Sequence, residues 1–127
     1  MTKYSVVVVE DEAAARQHLL NLIEGWCPEL EAAASAGDGQ QGLQTILRLR
    51  PDLVITDVLM PGCTGIEMVS RLRESGLTTQ VLIVSGHQDF EYVKGALNIG
   101  AFDYLLKPIS PSAFKSAISR VERKLDE

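Results

Sequence analysis

The sequence predicts an α/β protein in which five parallel strands alternate with five helices. Each of five strand-like runs is followed by a segment with helical periodicity, and this alternation is typical of a parallel sheet with helices on both faces. The runs VVVV, LVIT and VLIV contain no alternating polar residues, which is typical of strands buried on both faces. A chain of 127 residues is long enough for one such domain, and we expect residues 1–127 to form it.

The predicted strands differ in polarity. LEAAAS and FDYLLK contain charged residues, whereas the first, third and fourth strands do not, apart from Asp57 at the end of the third. We therefore place the second and fifth strands at the edges, which gives a flavodoxin-like, doubly wound (βα)5 sheet with strand order 2-1-3-4-5. The predicted strands are Tyr4–Val9, Leu30–Ser35, Leu53–Asp57, Gln80–Ser85 and Asp103–Lys107.

The first and last helices each carry one apolar stripe at helical spacing. The two stripes are Ala15, Leu19, Leu22, Ile23 and Trp26 in the first helix, and Phe114, Ala117, Ile118, Val121 and Leu125 in the last.

Helix ends are also marked in the sequence. Pro111 suits the first turn of the last helix, and Ser110 is a good N-cap. Gly25, Gly76 and Gly100 follow helical patterns, where a left-handed residue commonly ends a helix.

Composition excludes several classes of function. The net charge of −5 argues against nucleic-acid binding by this segment, because phosphate contacts require clustered Lys and Arg. No apolar run has the length of a membrane span, and no signal-peptide core is present, so we expect a cytoplasmic protein with no membrane association. Cys27 and Cys63 lack metal-ligand spacing and are expected to be reduced thiols.

Polar side chains stand at the carboxyl ends of four of the predicted strands. Glu10 and Asp11 follow the first strand, Asp57 and Ser85 end the third and fourth, and Lys107 ends the fifth. Because ligands of such sheets bind outside the carboxyl ends, at the switch point between strands one and three, we expect these groups to converge on one crevice.

The acids in this set predict a divalent cation site. Like charges this close are costly unless a cation joins them, and Mg²⁺ takes one or two carboxylates while keeping several waters. We expect Asp11 and Asp57 to be direct ligands and Glu10 to act through water. Taken singly, the acids of residues 10–12 could instead favour a helix N-terminus, and Asp57 could cap a turn.

A metal beside a carboxylate, with an ammonium and a hydroxyl opposite, is suited to phosphoryl transfer. Asp57 would be the nucleophile, and Mg²⁺, Lys107 and Ser85 would each take one phosphoryl oxygen. Taken singly, Lys107 could be a solvated strand end and Ser85 a turn residue.

These motifs resemble the receiver domain of two-component response regulators over essentially the whole chain. The resemblance is carried by VVVEDE, DVLMPGCTG, VLIVSG and FDYLLKP. It implies that Asp57 accepts a phosphoryl group from a histidine kinase and that the backbone carbonyl of Leu59 also binds Mg²⁺. It further implies a cis peptide between Lys107 and Pro108, and a switch role for Tyr104.

The stretch SGHQDFEYVKGALNIGAFDYLLKP narrows the resemblance to receivers fused to AraC-type helix-turn-helix output domains. It implies that this chain is the N-terminal part of a transcription factor whose C-terminal DNA-binding domain is not included. Two features depart from the family's usual pattern. Glu10 stands where Asp is usual, and Leu59 and His87 occupy positions that tune hydrolysis of the acyl phosphate. An apolar Leu59 predicts a long-lived phosphorylated state, which His87 could offset.

The resemblance also implies how the signal is passed on. Phosphorylated Asp57 would draw in the Ser85 hydroxyl, Tyr104 would turn inward, and the face of helix four, strand five and helix five would change. This face could then form a homodimer or release an output partner. On helix four, the apolar residues cover several directions, consistent with a surface for such contacts or with packing on the sheet; they are Val93, Ala96, Leu97 and Ile99.

Other functions are open at this point. We expect a phosphoacceptor that supports its own phosphotransfer and slow autodephosphorylation, not an enzyme. A stand-alone receiver in a phosphorelay and a degenerate receiver acting as a protein-interaction module are the alternatives. A flavodoxin-type cofactor binder is disfavoured because the acids of residues 10–12 would repel its phosphate. An aspartyl phosphatase is disfavoured because Leu59 replaces its second acid.

Overall fold

The computed structural model describes residues 3–86 and 89–127, and it contains the ten elements that the sequence predicts. In chain order they are β1 (Tyr4–Val9), α1 (Ala13–Trp26), β2 (Leu30–Ala36), α2 (Gly39–Leu49), β3 (Leu53–Asp57), α3 (Gly65–Glu74), β4 (Gln80–Ser85), α4 (Phe90–Asn98), β5 (Asp103–Leu106) and α5 (Pro111–Asp126). The strands form one parallel sheet in the order β2-β1-β3-β4-β5. The predicted fold class and strand order are confirmed.

The sheet separates two apolar cores, and β1 contributes to both. Val6 and Val8 pack with α1 and α5 on one face, whereas Val7 and Val9 pack with α2, α3 and α4 on the other. All four valines are fully buried. The VVVV run is therefore apolar throughout because each of its two faces is covered by helices.

The edge strands are the ones that the charge pattern predicted. Most residues of β2 are exposed, and of β5 only Leu105 is buried. The strand ends differ slightly from prediction, since β2 continues to Ala36 and β5 ends at Leu106. Lys107 thus lies just beyond the strand, in the connection to α5.

The start of α5 and two of the three predicted helix ends are confirmed. The Ser110 hydroxyl accepts a hydrogen bond from the Ala113 amide at 3.2 Å, and Pro111 opens the helix. Gly76 and Gly100 have φ values of +86° and +116°. Only glycine adopts such left-handed backbone without strain.

The prediction for Gly25 is wrong, because α1 continues past it to Trp26 and ends at Cys27 with a φ of −129°. Trp26, the last residue of the predicted apolar stripe, is 49% exposed. Cys27, which is 4% exposed, takes the buried position at this end of the helix instead.

The two cysteines are free thiols, as predicted. Cys27 belongs to the core beside α1 and α5 and Cys63 to the core on the opposite face of the sheet. Burial raises the pKa of Cys27 to about 11 and also raises the pKa of Cys63. Among the described helices, none is both long and apolar enough to cross a bilayer.

Candidate functional site

Three carboxylates meet at the carboxyl ends of β1 and β3. Each of Glu10, Asp11 and Asp57 has an oxygen within 4.8 Å of an oxygen of the other two. Glu10 is fully buried and Asp57 is 7% exposed, whereas Asp11 faces solvent. They converge because β1 and β3 are adjacent parallel strands that end at the same edge of the sheet.

Lys107 forms ion pairs with the two buried members of this cluster. Its ammonium donates hydrogen bonds to Glu10 Oε1 and Asp57 Oδ2, both at 2.7 Å. The lysine is placed by its backbone amide, which donates to the Ser85 carbonyl at 2.8 Å, and a cis peptide follows it before Pro108. The cis bond that the resemblance implied is therefore present.

Burial and charge act against each other in this ion pair. Burial is the main cause that raises the pKa of Glu10, and the hydrogen bond from Lys107 opposes it. Burial alone would lower the pKa of Lys107, but its hydrogen bonds to Asp57 and Glu10 and their negative charges outweigh burial and raise it. The ammonium therefore stays charged at neutral pH.

The raised pKa of Glu10 predicts how Glu10→Gln changes stability with pH. A raised folded-state pKa stabilises the fold below the ordinary value of 4.5, and this contribution is lost as pH rises through the folded value. Gln cannot titrate. In EDTA, we therefore expect wild type to lose stability relative to Glu10→Gln as the pH rises above 4.5. The free energy of unfolding of the variant minus that of wild type should become more positive over this range. Urea unfolding of both proteins at several pH values measures this difference in the free energy of unfolding. A difference that is constant or falls with pH would contradict the prediction.

The second oxygen of Asp57 is held by the loop between β3 and α3. The Leu59 amide donates to Asp57 Oδ1 at 3.2 Å, and the Leu59 residue is 38% exposed. The loop is closed by a 2.7 Å hydrogen bond from the Gly65 amide to the Val58 carbonyl. The carboxylate of Asp57 is therefore oriented on both sides, by an ammonium and by a main-chain amide.

Ser85 and Tyr104 line one cavity between β4, α4 and β5. Ser85 is fully buried, and its hydroxyl has no hydrogen-bond partner within the described residues. It lines a cavity of about 100 Å³ whose wall includes Val93 of α4 and Tyr104 of β5, and Tyr104 is 38% exposed. A buried hydroxyl without a partner is costly in a structural role, and it is suited to receive a new polar group.

The structure thus joins Lys107 to Glu10 and Asp57, and Leu59 to Asp57, by hydrogen bonds, and it places Asp11 within 4.8 Å of the other two carboxylates. Ser85 follows the β4 residue that pairs with Asp57. His87 lies outside the described residues. Sequence reasoning missed the bond between Glu10 and Lys107, which are 97 positions apart. It also missed Arg16, whose Nη1 donates to the Glu10 carbonyl at 2.7 Å.

A family model for the response regulator receiver domain matches residues 6–119 of this chain. The chain belongs to this family. Receiver domains bind Mg²⁺ at an acidic pocket, and in this chain the structure shows an acidic cluster of Glu10, Asp11 and Asp57. The family assignment agrees with the resemblance stated from the sequence motifs.

Individual relatives of this receiver domain agree with the assignment. The chain is 37% identical over 122 residues to an uncharacterised response regulatory protein of Vibrio cholerae, covering 96% of this chain and 46% of that protein. It is 32% identical over 124 residues to the transcriptional regulatory protein HptR of Staphylococcus aureus, covering 98% and 48%. The receiver domain therefore spans about half the length of these relatives.

A solved structure shows the same fold. The receiver domain of AraT, a response regulator from Geobacillus stearothermophilus, superposes with a TM-score of 0.88 at 29% identity, covering 97% of this chain and 95% of that one. The sheet order and the placement of the helices are therefore those of a receiver domain.

Proposed function

We propose that Asp57 is the phosphoacceptor of this receiver domain and that a sensor histidine kinase is its phosphodonor. The observation that carries the proposal is the position of Lys107, whose ammonium bonds to Asp57 and Glu10 beside the exposed carboxylate of Asp11. This arrangement places a positive side chain and an acidic cation site beside one carboxylate. It suits phosphoryl transfer, because the negative charge of the phosphoryl group must be neutralised in the transition state.

The donor set fits Mg²⁺. Three carboxylates, two of them buried, supply the hard oxygen ligands that this ion prefers. Asp11 and Asp57 would hold it directly, Glu10 through water, and the Leu59 carbonyl would add a neutral ligand. When bound, the ion supplies charge neutralisation for a phosphoryl oxygen.

The chain's own residues would perform the remaining steps. An oxygen of Asp57 attacks phosphorus, the bond from phosphorus to the histidine nitrogen of the donor breaks, and the electron pair returns to the imidazole. Lys107 neutralises one oxygen of the group in transfer. The Ser85 hydroxyl, which has no partner among the described residues, donates to another. The receiver domain thereby supports its own phosphotransfer and slow autodephosphorylation without being an enzyme.

Phosphorylation would be coupled to the protein surface by side-chain movements at the cavity between β4, α4 and β5. As the Ser85 hydroxyl moves toward the phosphoryl group, Tyr104 turns into the cavity that both residues line. This shifts an existing equilibrium and does not create a new fold. The altered face of α4, β5 and α5 would then form a homodimer or release an output domain.

The output would be transcriptional. HptR is named a transcriptional regulatory protein, and this chain covers about half of it. We propose that a C-terminal DNA-binding domain follows residue 127 in the full protein, with an AraC-type helix-turn-helix as the specific expectation from the sequence. Such a regulator would act in the cytoplasm, and the receiver itself would not bind DNA.

Intact mass tests the phosphoacceptor directly. The protein is incubated with acetyl phosphate and Mg²⁺ beside an Asp57→Asn variant. We expect wild type to gain one phosphoryl group and the variant to gain none. If wild type gains no mass although Mg²⁺ binds, the domain is either strictly kinase-dependent or a degenerate interaction module, and phosphotransfer from a phosphorylated kinase then separates the two.

Leu59 predicts the lifetime of the phosphorylated state. Its side chain is partly exposed next to Asp57, and an apolar group there cannot orient an attacking water. We expect Leu59→Asn to speed dephosphorylation by roughly tenfold, because positioned polar groups of this kind contribute at least that much to proton transfer and water attack. Loss of phosphorylated protein over time measures it.

The matched control is Leu47→Asn, because Leu47 is a similarly exposed leucine on α2. It should leave the rate unchanged. Equal rates for wild type and Leu59→Asn would refute the role of Leu59.

A further inference from the structure

Arg16 makes one contact that the proposed function does not use. Its guanidinium Nη1 donates to the main-chain carbonyl of Glu10 at 2.7 Å. Arg16 lies in the first turns of α1, where its own amide bonds to the Glu12 carbonyl at 2.9 Å. The side chain thus folds back over the β1–α1 loop that carries the acidic residues.

The bonded carbonyl belongs to the peptide that joins Glu10 to Asp11. On the other side of Glu10, its amide donates to the Ala36 carbonyl of β2 at 3.0 Å. The main chain of Glu10 is therefore held from both directions. Because the peptide unit between Glu10 and Asp11 is planar, the bond from Arg16 to its carbonyl restricts the main-chain torsions on either side, and with them the positions from which the two side chains extend.

Arg16 and Lys107 bond to different kinds of acceptor. Lys107 bonds to carboxylates of the cluster, whereas Arg16 forms no ion pair within the parts of the chain that the structure describes. Arg16 therefore does not compete with a cation for carboxylate oxygens. Loss of a group that orients metal ligands commonly costs about 10–100-fold in metal affinity.

We propose that Arg16 is a positioning residue that orients Glu10 and Asp11 for Mg²⁺. The inference rests on the proposed function only in taking this cluster as the cation site. Arg16 bonds to a main-chain carbonyl and not to a carboxylate of the cluster, so we expect it to affect the affinity for Mg²⁺ and to leave the rate of phosphotransfer at saturating Mg²⁺ nearly unchanged.

A neighbouring glycine provides an independent way to disturb the same bond. An added Cβ at Gly37, the residue that follows β2, would lie 3.3 Å from Arg16 Nη1. The contact is to the far end of a flexible side chain, so the guanidinium must move by a few tenths of an ångström while the backbone stays. Gly37→Ala should therefore weaken the bond to the Glu10 carbonyl without removing any charge.

The test is a titration of the protein with MgCl₂, followed by the backbone amide signals in NMR spectra. We expect Arg16→Ala to raise the Kd for Mg²⁺ by about tenfold, the scale typical for loss of a group that orients metal ligands. Arg16→Lys should recover part of the affinity, since an ammonium can still donate one bond, and Gly37→Ala should shift Kd in the same direction by less. Arg48→Ala, which removes an exposed arginine of α2, should match wild type.

A second readout separates positioning from general weakening. In acetyl phosphate reactions, Arg16→Ala should raise the Mg²⁺ concentration for half-maximal rate and keep the maximal rate. If Arg16→Ala does not fold, the Kd values of Arg16→Lys and Gly37→Ala for Mg²⁺ test the proposal. A Kd for Arg16→Ala within twofold of that of wild type would overturn the proposal, as would, if that variant does not fold, an unchanged Kd in both Arg16→Lys and Gly37→Ala. If wild type binds Mg²⁺ but accepts no phosphoryl group, the proposed function is wrong. The Mg²⁺ titration would still test the positioning role of Arg16.

Discussion

Lys107→Met is expected to slow phosphorylation of Asp57 by acetyl phosphate by roughly 100-fold or more at saturating Mg²⁺, the scale found when one preorganised donor to a developing charge is removed. Methionine keeps the length and apolar stem of the side chain and deletes only the ammonium. That ammonium forms the hydrogen bonds that join the segment after β5 to both buried carboxylates of the cluster. Stopped reactions analysed by intact mass give the rate.

The same substitution leaves two acidic groups facing each other without a cation. Glu10 is fully buried, so its pKa should rise further in Lys107→Met, and in EDTA the variant should be less stable than wild type by about 1–3 kcal/mol. The matched control is Lys115→Met, which removes an exposed lysine of α5. It should leave both the rate and the stability unchanged. An unaltered rate in Lys107→Met would contradict the proposed role of this lysine.

Gly39→Ala is expected to destabilise the fold by about 1–3 kcal/mol, the usual cost of overpacking. Gly39 is the first residue of α2 and lies against the loop that follows Asp57. An added Cβ would lie 2.3 Å from the Cys63 carbonyl oxygen and 2.5 Å from the Cys63 Cβ. These atoms belong to a buried loop residue, so relief requires either the helix or the loop to move.

Gly25→Ala should have the opposite effect. Gly25 lies inside α1, and nothing lies within 4 Å of a Cβ added there. Alanine in a helix interior is favoured over glycine by about 0.5–1 kcal/mol, so this variant should be more stable than wild type. Urea unfolding of both variants measures the two effects. Equal stabilities for Gly39→Ala and wild type would contradict the close packing of α2 against the loop between β3 and α3.

Much of the candidate site could be predicted because two local patterns carry it. The alternation of apolar runs and helical periods predicts the order of elements, and the polarity of each run predicts whether its strand is central or at an edge. Once the strands are parallel, their carboxyl ends must meet at one edge. Glu10, Asp11 and Asp57 are therefore brought together by topology, without knowledge of any side-chain contact.

Other features depend on distances between residues far apart in sequence. The apolar period of α1 continues to Trp26, yet this residue is exposed while its neighbour Cys27 is buried in the core. Gly39 looks like an ordinary glycine in the sequence, and only its approach to Cys63 shows why a side chain is excluded.

By itself, the sequence determined the fold class, the strand order and the residue types at the sheet edge, because these follow from periodicity and polarity along the chain. Only the tertiary structure decided which partners those residues take. Lys107 binds Glu10 as well as Asp57, and Arg16 binds a main-chain carbonyl in place of a carboxylate. The physical reason is that hydrogen bonds form or fail within a few tenths of an ångström, and that precision arises only when packed helices and strands fix the positions of both partners.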